Sequence, residues 1–235
     1  MCSMFHVKRQ PWADIPAAAR VVFGEQLEAA ERYAAMLAGP GVVRGVIGPR
    51  EAGKLWARHM LNSAVLGELL AKGERVLDVG SGAGLPGIPL ALARPDLTVV
   101  LLEPMARRVE WLREVVAALE LPVRVHRGRV EDPAVRAELG EWDVVTARAV
   151  APLGRLASWC LPLLVADGRL LAVKGARAGA EVARDAVAVR SAGGRAVDIV
   201  QCGVAVVQPP TTVVAVRRRA ERVTPRMGTP RRKDR

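Results

Sequence analysis

Apolar and polar positions along the chain fall into two regimes. Between Ala17 and Leu37 the apolar residues Phe23, Leu27, Ala30, Ala34 and Leu37 recur at spacings of three and four, with Arg20, Glu28, Glu31 and Arg32 between them. That period places one apolar stripe on a helix, which is predicted to stop at the breaker Gly39-Pro40-Gly41. A second helix is predicted to start near Pro49 and to run through Leu55, Arg58, His59, Asn62 and Leu66 to Leu70. Residues 1–72 therefore read as a helical cap.

Beyond Gly73 short Val/Leu-rich runs alternate with helical stretches. The runs predict strands at Arg75–Val79, Thr98–Glu103, Val123–Arg127, Asp143–Ala147, Arg169–Lys174, Arg195–Val200 and Thr211–Val216. Helices are predicted after the first five, notably Ala106–Leu119, Leu153–Leu164 and Ala178–Ala192. Strands alternating with helices form right-handed βαβ units and a mainly parallel sheet. The link between the last two strands is too short for a helical crossover, so those two should pair antiparallel. The expected architecture is α/β and Rossmann-like: a seven-stranded, mostly parallel sheet with the last strand antiparallel, an N-terminal helical cap over 1–72, a main domain over 73–217 and a basic tail over 218–235.

Composition agrees with this layering. The chain has 235 residues, 51% of them apolar and only 3% aromatic, so the core must be filled by Val, Leu and Ala, as in parallel sheets covered by helices. The net charge is +11, and residues 217–235 carry nine basic residues against Glu221 and Asp234, which is +7 of that total. Such a segment is either simply solvated or binds polyanions. Cys2, Cys160 and Cys202 have neither metal-ligand nor CxxC spacing. They point to a reducing compartment. With no apolar run long enough to span a bilayer and no secretory pattern at the start, a cytoplasmic protein without membrane association and without a metal is expected.

The chemistry concentrates in Val76-Leu77-Asp78-Val79-Gly80-Ser81-Gly82-Ala83-Gly84-Leu85-Pro86-Gly87, a strand, a glycine turn and a helix start. Glycines there allow a ligand to lie against bare backbone. Glu103, at the end of the next strand, stands where a carboxylate would accept hydrogen bonds from ribose hydroxyls. The pair specifies an adenosine-containing cofactor. Gly82, Gly84 and Gly87 also satisfy the dinucleotide pattern GxGxxG. Asp78 beside the turn, and Pro86 and Pro89 in place of amide donors, disfavour a pyrophosphate at that helix start. They favour S-adenosylmethionine, which carries an ammonium and a sulfonium. An enzyme of this class should place its substrate-side residues at the ends of strands four and five, at Thr146-Ala147-Arg148-Ala149 and Val173-Lys174-Gly175.

Several acceptors are disfavoured. Amino-group transfer expects an Asn/Asp-Pro-Pro-aromatic element after strand four, whereas Gln208-Pro209-Pro210-Thr211 lies between the last two strands and reads as a turn. Pyrimidine C5 transfer needs a nucleophilic cysteine, whereas Cys160 sits in an apolar helical run. What remains is an atom that is already nucleophilic, such as guanine N7, which needs positioning more than acid–base help. Arg148 and Lys174 are the candidate cations for guanine O6 or a flanking phosphate, and His59 is a candidate for facing the pocket from the cap.

These segments resemble the bacterial 16S ribosomal RNA guanine-N7 methyltransferases, the glucose-inhibited division protein B family. The resemblance rests on Arg58-His59-Met60-Leu61-Asn62-Ser63, the glycine loop through Pro89, and Arg107-Arg108-Val109-Glu110-Trp111-Leu112. It continues through Gly128-Arg129-Val130-Glu131-Asp132, Thr146-Ala147-Arg148-Ala149 and Leu171-Ala172-Val173-Lys174-Gly175, covering about residues 17–220. It implies a class I S-adenosylmethionine methyltransferase, with cofactor contacts from Gly80, Gly82, Gly84, Leu85, Glu103, Val130, Glu131 and Arg148. It also implies RNA-side or methyl-site roles for Arg129, Arg148 and Lys174, with His59 on the substrate side. The implied partner is 16S rRNA or the 30S subunit, bound by a monomer. Alternatives are transfer to another RNA base and a cofactor-binding ribosome-assembly factor without transfer activity. The sequence departs from the family at Gly45-Val46-Ile47, where an Asn-Leu-Thr element is usual, at Asn62, where aspartate is usual, and at Thr211-Thr212, where a basic residue is usual.

Overall fold

A computed structural model describes residues 14–219. The first helical run is divided by Gly24, whose φ of +49° does not fit a helix, into α1 (Ala17–Phe23) and α2 (Leu27–Met36). The winding then continues as a π turn over Leu37–Gly41 with Pro40 inside it, so the breaker widens the helix instead of stopping it. Proline lacks an N–H and its ring crowds the carbonyl of the preceding turn, and a wider turn accommodates both. The second run begins at Pro49 as expected and is wound unevenly. Pro49–Lys54 is tight, Leu55–Leu61 is π-wound, α3 (Asn62–Ala64) is regular, and Val65–Leu69 is tight again.

The strands are β1 (Arg75–Val79), β2 (Thr98–Glu103), β3 (Arg124–Arg127), β4 (Trp142–Arg148), β5 (Leu164–Lys174), β6 (Gly194–Cys202) and β7 (Thr211–Arg218). Between them lie α4 (Gly87–Ala93), α5 (Ala106–Ala118), α6 (Pro133–Leu139), α7 (Leu153–Cys160) and α8 (Ala178–Ser191). They form one seven-stranded sheet in the order β3-β2-β1-β4-β5-β7-β6. The expected reversed strand is β7, antiparallel to both of its neighbours, but it inserts between β5 and β6 and leaves β6 at the edge. β7 reaches Arg218, which pairs with Glu141, so Arg217 and Arg218 belong to the sheet. The rest of the expected tail, from residue 220, lies outside the described residues.

Side chains alternate across each strand and fill two layers. Val76, Val99, Leu101, Val144 and Leu171 pack toward α4, α5 and the N-terminal helices, in one cluster with Phe23, Tyr33, Leu37, Trp56, Met60 and Trp111. Leu77, Val100, Val145, Leu170 and Ala172 pack toward α7 and α8, with Leu153, Leu156 and Cys160. Each fully buried Leu or Val there contributes roughly 1.5–3 kcal/mol by leaving water. Cys160 is part of that packing, and burial pushes its thiol up to about 12. Among the described residues no helix is long and apolar enough to cross a membrane.

Candidate active site

A cleft of about 590 Å³ opens at the carboxyl ends of β1, β2 and β4, where ligands of open α/β sheets bind. The glycine loop, Glu103 to Met105, Arg108, Arg148 to Val150 and the cap residues Val46 to Gly48, Glu51, Arg58 and His59 line it. A smaller lobe of about 170 Å³, lined by Gly128, Arg129, Val130 and Glu131, shares Gly80, Pro104 and Val150 with the cleft. Val150 stands between the two, and a Cβ on Gly80 would come within 2.8 Å of its methyl.

The loop is a rigid cradle whose amides are nearly all taken. Gly80 and Ser81 donate to Leu102 O, and Gly84 and Leu85 donate to Ser81 O. Gly82 donates to Glu103 Oε2 at 2.9 Å, and Gly87 to Asp78 Oδ2 at 3.0 Å. Tyr33 Oη and Trp111 Nε1 both donate to Ala83 O, at 2.9 and 3.0 Å, tying the loop to α2 and α5. With so few free donors the loop does not make a pyrophosphate cradle, which needs several amides aimed at the ligand. Glu103 is buried at the lip and also accepts from Met105 N at 3.0 Å. Its carboxylate keeps lone pairs for hydroxyl donors.

Asp78 does not sit where an ammonium could meet it, as its nearness to the turn had implied. It shares strand parity with Val76, is fully buried, and anchors the start of α4 through Gly87. Burial raises its carboxyl to about 7. Gly84 likewise faces inward rather than into the cleft: a Cβ there would meet Ile88 and the Tyr33 hydroxyl at 2.4 and 2.9 Å.

Arg148, the last residue of β4, shares the parity of Val144 and Thr146 and therefore points toward the cap. Its Nη1 donates to Ser63 Oγ at 3.1 Å, and its Nη2 donates to Arg58 O at 3.0 Å and to His59 Nδ1 at 2.8 Å. Burial and the nearby Arg58 lower its pKa, but a guanidinium stays charged. His59, in the π-wound stretch, lines the cleft as expected, with both ring nitrogens engaged: its Nε2 lies 2.8 Å from Glu51 Oε2.

Lys174 is not brought together with them. It has the parity of Leu170 and Ala172, so it points to the opposite layer and donates to Glu181 Oε1 at 2.8 Å and Ala151 O at 3.0 Å. A one-residue step along a strand reverses the side-chain direction, and strand-end position alone does not reveal which face results. Arg129, Val130 and Glu131 lie together in the smaller lobe rather than beside Arg148. Sequence reasoning passes over Glu51, Ser63, Tyr33, Arg108 and Val150. Arg58 and Ser63 flank His59 within one motif, and Glu51 lies eight residues before it, a little over two helical turns, which is the signal the sequence carries.

The lining fits S-adenosylmethionine: a cradle with Gly80 and Gly82 at the cleft, a buried carboxylate for ribose hydroxyls, and a volume within the roughly 300–1,000 Å³ of small-molecule sites. Among solved structures the fold is shared with Aeropyrum pernix fibrillarin in complex with S-adenosyl-L-methionine, at TM-score 0.50 and 18% identity, covering 68% of this chain and 75% of that one. It is also shared with M. jannaschii TYW2 in complex with AdoMet, at TM-score 0.53 and 16% identity, covering 71% and 78%. The fold is the Rossmann-like one of the class I S-adenosylmethionine-dependent methyltransferases.

Two curated relatives carry the name ribosomal RNA small subunit methyltransferase G. The Mycobacterium marinum protein is 56% identical over 215 residues, 92% of this chain and 94% of its own length. The Rhodococcus jostii protein is 54% identical over 228 residues, covering 95% and 98%. A model of the GidB family, rRNA small subunit methyltransferase G, matches residues 26–208, and the chain belongs to that family.

Proposed function

We propose that this enzyme transfers a methyl group from S-adenosylmethionine to N7 of a loop guanine in the 16S rRNA of the small ribosomal subunit. One observation carries the reading of the acceptor. Among the described residues lining the cleft, every carboxylate and imidazole already has a hydrogen-bond partner in the protein, and the lone pairs that Glu103 keeps are those assigned to the ribose hydroxyls. Glu103 accepts from two backbone amides, Glu51 is held by Arg58 and His59, and both nitrogens of His59 are occupied. Burial and Arg148 also lower the pKa of His59, which weakens its ring as a base. A cleft without a free base suits an acceptor that brings its own lone pair and loses no proton, and guanine N7 is one. The relatives' names support ribosomal RNA as the substrate.

Bound cofactor supplies an electrophilic methyl group on a sulfonium. The protein's part is to bind, orient and exclude water. Glu103 would accept the ribose hydroxyls, Gly80, Gly82 and Leu85 would floor the site, and Val130 and Glu131 would flank the adenine in the smaller lobe. Arg148 uses three of its five N–H groups on the cap, which leaves two for guanine O6 or a phosphate. Arg129 and the mouth residue Arg108 add positive charge for the RNA. A loop guanine exposes the edge that a paired A-form helix hides. Lys174, tied to Glu181, is left out of the transfer step.

The test is transfer from labelled S-adenosylmethionine to 30S subunits lacking 7-methylguanosine, followed by nucleoside analysis. Labelled 7-methylguanosine in the 16S rRNA is expected. Label in another nucleoside would keep the cofactor and overturn the acceptor.

A further inference from the structure

The cap residue Glu51 lies in the wall of the cleft, and the role proposed for Arg148 gives it none. Its carboxylate stands 2.8 Å from His59 Nε2, and His59 Nδ1 stands 2.8 Å from Arg148 Nη2. A guanidinium only donates, so Nδ1 must present its lone pair, and the ring proton must sit on Nε2, aimed at the carboxylate. We infer that Glu51 is a positioning residue for methyl transfer: by accepting the Nε2 proton of His59 it holds the imidazole in the one tautomer that can receive Arg148.

Three elements of the cap converge on that single guanidinium: the carbonyl of Arg58, the ring of His59 and the hydroxyl of Ser63. The carbonyl only accepts and the hydroxyl always keeps a lone pair, so of the three only the ring can lose its acceptor at the facing atom. In the other tautomer, or when protonated, Nδ1–H would face the Arg148 N–H and repel it. The charges facing the ring are Arg148 from β4 and Glu51 and Arg58 from the cap. Of these, Glu51 alone faces Nε2 and can accept its proton. Glu51 is partly exposed and its other partner is the solvent-facing Arg58, so its removal leaves the packed core intact.

The inference rests on the role proposed for Arg148, and the experiment separates the two. The chain has three histidines, so long-range proton–nitrogen NMR can assign the His59 ring in the wild-type protein. A protonated Nε2 with a bare Nδ1 is expected, and a proton on Nδ1 overturns the inference without any activity measurement. Methyl transfer to 30S subunits is then compared for Glu51→Ala, Glu51→Gln, Arg148→Ala and the Glu51→Ala/Arg148→Ala double variant. Glu51→Ala should lower kcat about tenfold, within what a small misplacement of a positioning group costs, with cofactor KM within about twofold. Glu51→Gln, whose amide oxygen still accepts from Nε2, should recover most of the loss. The double variant should be no worse than Arg148→Ala alone, because Glu51 acts through that residue. Wild-type kcat in Glu51→Ala beside an impaired Arg148→Ala overturns the inference and keeps the role of Arg148. Wild-type turnover in Arg148→Ala overturns both.

Discussion

Arg148 and Asp78 share one face of the sheet, yet their surroundings differ. Arg148 reaches the cleft and meets three acceptors, while Asp78 is sealed beneath the glycine loop with Oδ1 unpartnered. Replacing Arg148 by Ala should leave the fold unchanged and lower kcat on 30S subunits about 100-fold, the scale of losing one preorganised polar group at a reacting centre; unchanged kcat would remove it from the mechanism. For Asp78 the prediction concerns stability. Its folded pKa of about 7 lies above the ordinary 3.8, so between those values the folded chain keeps a proton that the unfolded chain has released. Its contribution to stability therefore falls as pH rises through that window, by up to something on the order of 4 kcal/mol. Asp78→Asn abolishes the titration, so the variant should gain stability relative to wild type between about pH 4 and about pH 7. Urea unfolding of both proteins at the two ends checks this, and a constant difference would contradict it.

Among the elements, the turn after β1 combines the strongest local signal with the strictest geometry. Gly80 has φ +71° and a Cβ there would strike Val150, whereas Gly45 has φ +64° with open space around it. Gly80→Ala should therefore weaken cofactor binding more than tenfold by displacing Val150 at the join of the two lobes. Gly45→Ala should cost only the roughly 1–2 kcal/mol of a left-handed alanine and leave binding unchanged. Calorimetric titration with S-adenosylmethionine and thermal melts of both variants distinguish collision from strain. Strands β1 and β2 and the span of the second cap helix were legible because apolar runs and breakers are local signals. The divided first helix was not, since the same apolar stripe continues across Gly24 and only the backbone shows the interruption.

On the scale of the whole molecule, charge is concentrated where the chain leaves the sheet. Residues 220–235 carry six basic residues against Glu221 and Asp234. Ending the chain at Arg219 should weaken RNA binding at low salt and make its salt dependence shallower, by about one in the slope of log K against log salt for each phosphate the segment neutralises. Keeping Arg217 and Arg218 in the truncated protein matters, because both are residues of β7. Filter binding of 16S rRNA across a salt series checks this, and an unchanged slope would mean that the segment touches no phosphate.

Local information determined most of the architecture: periodicity chose helix or strand, short links chose antiparallel pairing, and glycines with a distant acid marked the cofactor loop and Glu103. Tertiary structure decided which face of each strand end meets the cleft. Arg148 and Lys174 occupy equivalent strand ends and look equally suitable in the sequence, but strand parity turns one toward the cap and the other toward Glu181 on α8. It also decided that β7 inserts between β5 and β6, that Gly84 and Asp78 are packing residues, and that Glu51 stands beside His59. These outcomes depend on register and on contacts between distant segments, such as the 89 residues separating His59 from Arg148, and no local pattern encodes them.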